Sequence, residues 1–246
     1  MPVGRRLISL VLASAACAPG ATPRPATSAS PASAAVRVGL DVFLDSVPAW
    51  AEGKRLGLIT NNAGVDASGR SNIERLTARH DVKLVTLFAF EHGIRGDAPA
   101  GAHIANEVDA RSGLPVYSLY GDVQKPTPEM LAGVDLLLYD VQDVGARPYT
   151  RVSTMALSMK AAAERGIPFV VLDRPNPLGG IEMEGPVLEP AFASFVGMYP
   201  IPLRHGMTLG ELARLYNARF GIGADLRVIP MRGWRRETPF SATGLP

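Results

Sequence analysis

The sequence contains little cysteine, little histidine and no large excess of charge of either sign. One cysteine, Cys17, and four histidines occur among the 246 residues. A lone cysteine cannot form a disulfide within the chain, and the absence of a His-Glu-x-x-His pair gives a zinc site little support. The formal net charge of +2, without a basic stripe, gives no electrostatic argument for binding nucleic acid.

Several motifs of catalysis and cofactor binding are also missing. Without a Gly-x-Ser-x-Gly elbow, or a cysteine in the predicted folded part, acyl transfer by a serine or a thiol is disfavoured. The chain has neither a Gly-x-x-x-x-Gly-Lys phosphate loop nor the Gly-x-Gly-x-x-Gly turn of dinucleotide-binding folds. These absences direct attention to carboxylate chemistry.

The amino terminus is typical of an export signal. Two arginines precede the apolar residues 7–16, a run too short to span a bilayer as a mature helix. Either a general signal peptidase cuts nearby and frees the protein, or Cys17 is the lipid-bearing first residue of a bacterial lipoprotein, and the lack of a disulfide partner favours lipidation. We expect residues 1–17 to be a signal peptide and residues 18–36 an Ala/Pro/Ser/Thr-rich linker. The protein is then exported, as a membrane-anchored lipoprotein or as a periplasmic or extracellular protein.

From Arg37 onward, apolar β-favouring runs alternate with segments of helical periodicity. The alternation predicts an α/β fold, a Rossmann-like parallel sheet flanked by helices, over residues 37–246. Strands are predicted at residues 55–60, 84–90, 116–119, 136–139, 169–172 and 226–229. Helices are predicted at residues 71–79, 150–164 and 208–220, and a short helix is predicted to begin at Thr127.

Polar side chains follow most of the predicted strands. They are Asn61, Asn62, Glu91, His92, Tyr120, Asp140, Gln142, Asp143, Asp173, Arg174 and Asn176. The carboxyl ends of parallel strands meet at one sheet edge, where ligands bind, so these side chains predict a site. Carboxylates and amides suit general acid/base work on a sugar, and paired carboxylates hydrolyse glycosides. A magnesium site on three of the aspartates, and helix caps without further function, remain alternatives.

Five segments of the sequence resemble the NamZ-type exo-β-N-acetylmuramidases, bacterial glycoside hydrolases that act on peptidoglycan. The segments are Glu91–Gly96, Leu114–Gly121, Asp140–Arg147, Leu172–Pro177 and His205–Thr208. The resemblance implies a Rossmann-like N-terminal domain that carries the site, and a smaller C-terminal domain that we expect to be absent from this chain. It also implies release of N-acetylmuramic acid from the non-reducing end of glycan fragments, without a cofactor.

The resemblance places the catalytic glutamate on Glu91, in agreement with the strand-end analysis, and we expect it to act as general acid. His92 is expected to bond Glu91 or the substrate, or to be structural. Asp140 or Asp143 is the candidate second carboxylate, as base, nucleophile or orienter of the acetamide. Arg174 is expected to bind the lactyl carboxylate of muramic acid, because a planar guanidinium binds carboxylates bidentately. The alternative for Arg174 is a scaffold pair with Asp173.

The remaining substrate contacts are expected from a larger group of polar and aromatic residues. They are Asn61, Asn62, Arg95, Tyr120, Gln142, Tyr149, Asp173, Asn176 and His205. Pro148 and Arg151 depart from the family pattern, which has aromatic residues flanking Tyr-Thr. The expected partners are peptidoglycan-derived saccharides, with the membrane approached only through the lipid anchor. A non-catalytic muropeptide-binding lipoprotein and a metal-dependent phosphoesterase remain alternatives.

Overall fold

The computed structural model describes residue 1 and residues 35–99, 101–102 and 105–246. The predicted signal peptide, the lipidation site Cys17 and most of the predicted linker therefore lie outside the described residues. Within the described part, no helix is both long enough and apolar enough to cross a membrane.

The described chain forms one mixed sheet flanked by helices. Its strands are β1 (Arg55–Ile59), β2 (Lys83–Ala89), β3 (Glu107–Val108), β4 (Pro115–Ser118), β5 (Leu136–Tyr139), β6 (Phe169–Leu172) and β7 (Leu226–Ile229). Its α-helices are α1 (Gly39–Asp45), α2 (Asn72–Thr77), α3 (Thr150–Glu164) and α4 (Leu209–Arg219). The strand order is β3-β4-β2-β1-β5-β6-β7, and every neighbouring pair is parallel except β3 with β4. The predicted α/β, Rossmann-like class is confirmed.

Successive residues of each central strand enter opposite cores. In β5, Leu136 and Leu138 pack with the residues of α1 and α2, whereas Leu137 and Tyr139 pack with those of α3 and α4. The two-residue period of a strand sends alternate side chains to opposite faces, and a parallel sheet covered on both faces buries both sets. This explains why the run is continuously apolar.

Three of the four α-helices begin where the sequence predicts, whereas α1 was not predicted. At α4 the capping box forms, because Thr208 Oγ1 accepts from the Glu211 amide at 3.3 Å and Glu211 Oε2 accepts from the Thr208 amide at 3.0 Å. The short helix predicted at Thr127 is wrong, since residues 128–133 form turns instead. The antiparallel edge strand β3 was not predicted.

The strand order reverses around β1, which pairs with β2 on one side and with β5 on the other. In open α/β sheets the ligand crevice lies beyond the carboxyl ends of the strands at such a switch point. The residues after β1, β2 and β5 are therefore where a site is expected.

Candidate active site

Glu91 stands two residues beyond the end of β2 and is held by two donors. Its Oε1 atom accepts hydrogen bonds from the Tyr120 hydroxyl and from the Gly101 amide, each at 3.0 Å. Tyr120 lies just beyond β4, the neighbour of β2, so adjacent strand ends bring the two side chains together as predicted. The hydrogen bond to the carboxylate raises the pKa of Tyr120 above its ordinary value.

The turn after Glu91 is strained. His92 has a φ of 71° and is the only non-glycine residue with positive φ among the described residues. Its ring Nδ1 lies 2.8 Å from the Ala98 carbonyl oxygen. Because a carbonyl only accepts, Nδ1 is the donor, and Nε2 is the acceptor nitrogen of the neutral ring. His92 therefore bonds the turn rather than Glu91.

Glu91 lines a cleft of about 100 Å³ at the switch point. The cleft brings together five of the predicted site residues, Asn61, Asn62, Glu91, His92 and Tyr149. Phe90, Thr150 and Arg151 complete its wall. From the sequence, Arg151 was noted only as a departure from the family pattern. The helix predicted to begin at residue 150 follows β5, and this was the signal that residues 150 and 151 lie at the same sheet edge as Glu91.

Asp140 and Arg174 form an ion pair inside the protein rather than on the cleft wall. The side chains are 0% and 2% exposed, and Arg174 Nε lies 2.6 Å from Asp140 Oδ1. Arg174 also donates from Nη2 to Asp140 Oδ2 at 3.2 Å and from Nη1 to the Val65 carbonyl at 2.8 Å. Asn72 donates to the same Oδ2 at 2.9 Å. The Arg174 guanidinium therefore forms its ion pair with Asp140 and not with the Asp173 carboxylate that the scaffold alternative named. The burial argues against direct sugar contact by Asp140 or Arg174.

Asp143 and His205 are buried together and do not line the cleft, although the charge of Arg151, which does line it, reaches Asp143. Asp143 Oδ2 accepts from the Gly145 amide at 2.9 Å, and His205 Nδ1 accepts from the Met207 amide at 3.2 Å. Asp143 Oδ1 and His205 Nε2 have no hydrogen-bond partner among the described residues. Burial raises the pKa of Asp143 and lowers that of His205, each partly opposed by the charge of the other. The predicted second-carboxylate role of Asp143 stays a prediction.

Asp173 anchors the start of α4. Its carboxylate accepts from the Thr208 hydroxyl at 2.8 Å, from the Gly210 amide at 2.9 Å and from the Arg174 amide at 3.0 Å. Burial raises its pKa to about 6, against these hydrogen bonds, which lower it. Asp173 therefore joins the end of β6 to α4, whereas the sequence assigned it to the substrate.

Three further predicted sugar contacts are used within the protein. Gln142 Nε2 donates to the Asp143 and Pro175 carbonyls at 3.0 and 2.9 Å, and Asn176 Nδ2 donates to the Met207 carbonyl at 2.9 Å. Arg95 holds Asp109 bidentately, from Nε at 3.0 Å and from Nη2 at 2.6 Å. Burial would raise the pKa of Asp109, but the hydrogen bonds from Arg95 and its neighbours lower it to about 2.

The described residues contain no group of three or more His, Cys, Asp or Glu side chains placed to hold a metal ion. The residues that line the cleft are one carboxylate, one imidazole, two asparagine amides, one guanidinium, one tyrosine, one threonine and one phenylalanine. This set suits a hydroxyl-rich and amide-bearing ligand with an acidic substituent.

Comparison with known proteins agrees with the resemblance seen in the sequence. Residues 56–246 match the family described as exo-β-N-acetylmuramidase NamZ, N-terminal. The chain is 56% identical over 211 residues to the peptidoglycan β-N-acetylmuramidase NamZ of Bacillus subtilis (strain 168), a match that covers 86% of this chain and 51% of that protein.

Two crystal structures of DUF1343 family proteins from Bacteroides fragilis NCTC 9343 are also similar. One has 46% identity and a TM-score of 0.78, covering 85% of this chain and 53% of that chain. The other has 32% identity and a TM-score of 0.72, covering 84% and 55%. The chain thus spans about half the length of the relatives it matches. It belongs to the NamZ exo-β-N-acetylmuramidase family and carries that family's N-terminal region.

Proposed function

We propose that the protein acts as an exo-acting glycoside hydrolase that releases N-acetylmuramic acid from the non-reducing end of peptidoglycan fragments, with Glu91 as general acid. The observation that carries the proposal is the placement of Glu91 in the switch-point cleft, hydrogen-bonded by Tyr120 and flanked by Asn61 and Asn62. The 56% identity to the peptidoglycan β-N-acetylmuramidase of Bacillus subtilis supports the same reaction.

In the proposed reaction, Glu91 gives its proton to the glycosidic oxygen while the bond from that oxygen to the anomeric carbon breaks. Oε1 of Glu91 already accepts two hydrogen bonds, so Oε2 is the oxygen that carries and delivers the proton. The Tyr120 hydroxyl and the Gly101 amide then stabilise the carboxylate that is left. Water adds to the anomeric carbon and loses a proton, which returns to Glu91 directly or by way of a second base, and this completes hydrolysis.

Two routes can supply the group that assists the attack on the anomeric carbon. Glu91 is the only carboxylate that lines the cleft among the described residues. In one route the acetamide oxygen of the substrate attacks the anomeric carbon as the glycosidic bond breaks, and water then opens the oxazolinium ion and gives its proton to the Glu91 carboxylate, as in substrate-assisted glycosidases. In the other route a second carboxylate, either Asp143 or one outside the described residues, accepts the proton of the attacking water. Retention of configuration favours the acetamide, and inversion favours a separate base.

The test is hydrolysis of a chromogenic β-N-acetylmuramide and of its N-acetylglucosamine counterpart by the purified chain, each with and without EDTA. We expect release from the muramide alone, indifferent to EDTA, and loss of that release in Glu91→Gln. Glu52→Gln is the matched control, since Glu52 is exposed and lies outside the cleft.

Each alternative function predicts a different result. Near-full turnover by Glu91→Gln would refute the proposed acid. Saturable saccharide binding without turnover would favour the muropeptide-binding lipoprotein. No release from either sugar, together with EDTA-sensitive hydrolysis of a chromogenic phosphate ester, would favour the metal-dependent phosphoesterase. Because the chain spans about half of its relatives, a silent chain is retested with the carboxyl-terminal half of the Bacillus protein added.

The proposed location is the cell envelope, through lipidation of Cys17. The composition of residues 7–16 and the lone cysteine support it. Metabolic labelling with a fatty acid should mark the wild-type protein and spare Cys17→Ser, and equal labelling of both would contradict lipidation at this residue.

A further inference from the structure

One guanidinium faces the Glu91 cleft with donors to spare. Arg151, in the first turn of α3, lines the cleft and is half-buried. Its Nη1 atom donates to the Gln142 carbonyl at 2.6 Å, and its own carbonyl accepts from the buried Tyr139 hydroxyl at 2.9 Å. These two bonds fix the residue at both ends. The other guanidinium nitrogens make no hydrogen bond to the described residues.

The neighbouring arginines are committed elsewhere. Arg174 is buried against Asp140, and Arg95 holds Asp109 bidentately. Arg147 donates from Nη1 to the Pro186 and Ile201 carbonyls and does not line the cleft. Among the described residues of the cleft wall, Arg151 therefore supplies the only guanidinium or ammonium group.

Arg151 also lies at the positive end of α3, although the buried Asp143, whose raised pKa the charge of Arg151 partly lowers, offsets some of its charge. The side chain of the N-cap residue of α3, Tyr149, makes no capping hydrogen bond, so within the described part of the chain no capping side chain occupies the first amides of this 15-residue helix. The positive end of the helix and the guanidinium have the same sign and meet at the cleft. A carboxylate on the ligand can be bound there bidentately, a geometry that a lysine could not reproduce.

We propose that Arg151 binds the carboxylate of an acidic N-acetyl sugar in the Glu91 cleft, and so selects muramic acid, which carries a lactyl carboxylate, over the neutral N-acetylglucosamine. The inference rests on the proposed function for the identity of the sugar. It replaces Arg174 by Arg151 as the carboxylate partner. A purely structural Arg151, which only caps the Gln142 carbonyl, predicts lost stability without a change in sugar selectivity.

The first measurement is binding, so that it does not depend on turnover. Calorimetry on the Glu91→Gln protein compares free N-acetylmuramic acid with N-acetylglucosamine. We expect a preference for the acidic sugar that Arg151→Ala reduces roughly 10- to 100-fold, the range for one charge-assisted hydrogen-bonded pair, and that Arg151→Lys retains in part. Arg219→Ala, which removes an exposed arginine at the far end of α4, should leave the preference unchanged.

The second measurement is kinetic, on two chromogenic muramides, one with a free lactyl carboxylate and one with that carboxylate converted to the methyl amide. Arg151→Ala should raise KM for the acid by roughly 10- to 100-fold and leave the neutral amide within about threefold. Equal losses on both substrates, or an undiminished preference for muramic acid in the binding experiment, would overturn the role of Arg151. Hydrolysis could persist in that case. Conversely, a wild type that stays inactive with the carboxyl-terminal half of the Bacillus protein added, and whose binding preference depends on Arg151, would refute the proposed hydrolysis and support this inference.

Discussion

Replacing Arg174 by methionine is expected to destabilise the fold by about 3–5 kcal/mol, rather than simply to weaken sugar binding. Methionine roughly keeps the volume of the aliphatic stem and removes the charge. Asp140, 0% exposed, is then left with a buried carboxylate and no cation beside it. Breaking one member of a buried ion pair is costly because the remaining charge is uncompensated.

The size of the effect follows from the contacts that are lost. Arg174 supplies two of the three side-chain donors to the Asp140 carboxylate, at 2.6 and 3.2 Å, and leaves only the Asn72 amide at 2.9 Å. The Val65 carbonyl loses its 2.8 Å donor as well. Adding Asp140→Asn to Arg174→Met removes the stranded charge, so the double variant should recover about 2 kcal/mol or more relative to the sum of the single changes.

The assay is urea unfolding at pH 7, followed by the fluorescence of the two tryptophans. Lys125→Met is the control, since the Lys125–Glu164 pair has side chains 42% and 59% exposed and should contribute no more than about 1 kcal/mol. A loss below about 1 kcal/mol in Arg174→Met, together with a tenfold or larger fall in affinity for N-acetylmuramic acid, would refute the structural assignment. It would restore Arg174 as the sugar ligand expected from the sequence.

Three further changes test the cleft and its support. Tyr120→Phe removes the 3.0 Å hydrogen bond to Glu91 and should lower kcat roughly 10- to 100-fold, and a kcat within twofold of wild type would contradict this. The pKa of Asp173 is raised from 3.8 to about 6, so the native state keeps a proton that the unfolded chain loses between these two pH values. The free energy of unfolding should therefore fall by about 2 kcal/mol as pH rises from 4 to 7, and urea unfolding of Asp173→Asn should lack this part of the slope. Gly96→Ala should lower kcat/KM by more than backbone strain explains, because a Cβ there would lie 2.4 Å from Asn62 Nδ2. Gly53→Ala is the control for strain alone, since Gly53 has a similar positive φ and its Cβ would meet nothing within 4 Å. Both variants are compared in kcat/KM and in urea unfolding.

The sequence predicted the sheet and the position of Glu91 because both depend on short-range patterns. Continuous apolar runs identify strands buried on both faces, and parallel strands place the residues that follow them at one edge. That is why Glu91 and Tyr120, 29 residues apart, could be expected to meet. The edge strand β3 has only two residues, both exposed, so the sequence contains no alternation of apolar and polar residues from which this strand could be predicted.

The direction of each strand-end side chain was harder to predict, and it decides which residues line the cleft. In β5, Leu136 and Leu138 face the α1 and α2 layer, and the two-residue period sends Asp140 the same way, to Asn72 at the start of α2. A position next to a strand end therefore identifies the edge of the sheet but not the layer. The pairing of Asp140 with Arg174 lies between strand ends 34 residues apart and has no local sequence signal.

The cleft spans the switch point, and this bears on how it could select a ligand. Glu91 comes from β2 on one side of β1, Arg151 comes from the helix that follows β5 on the other side, and Asn61 and Asn62 follow β1 between them. A sugar bound over the end of β1 can thus meet the acid and the guanidinium at different points of its ring. Changing Arg151 should then alter which sugar binds without displacing Glu91, whereas changing Gly96 should disturb the asparagine between them and reduce turnover of acidic and neutral substrates together. A variant of Arg151 that lost both substrates equally would show that the two sides of the cleft do not act separately.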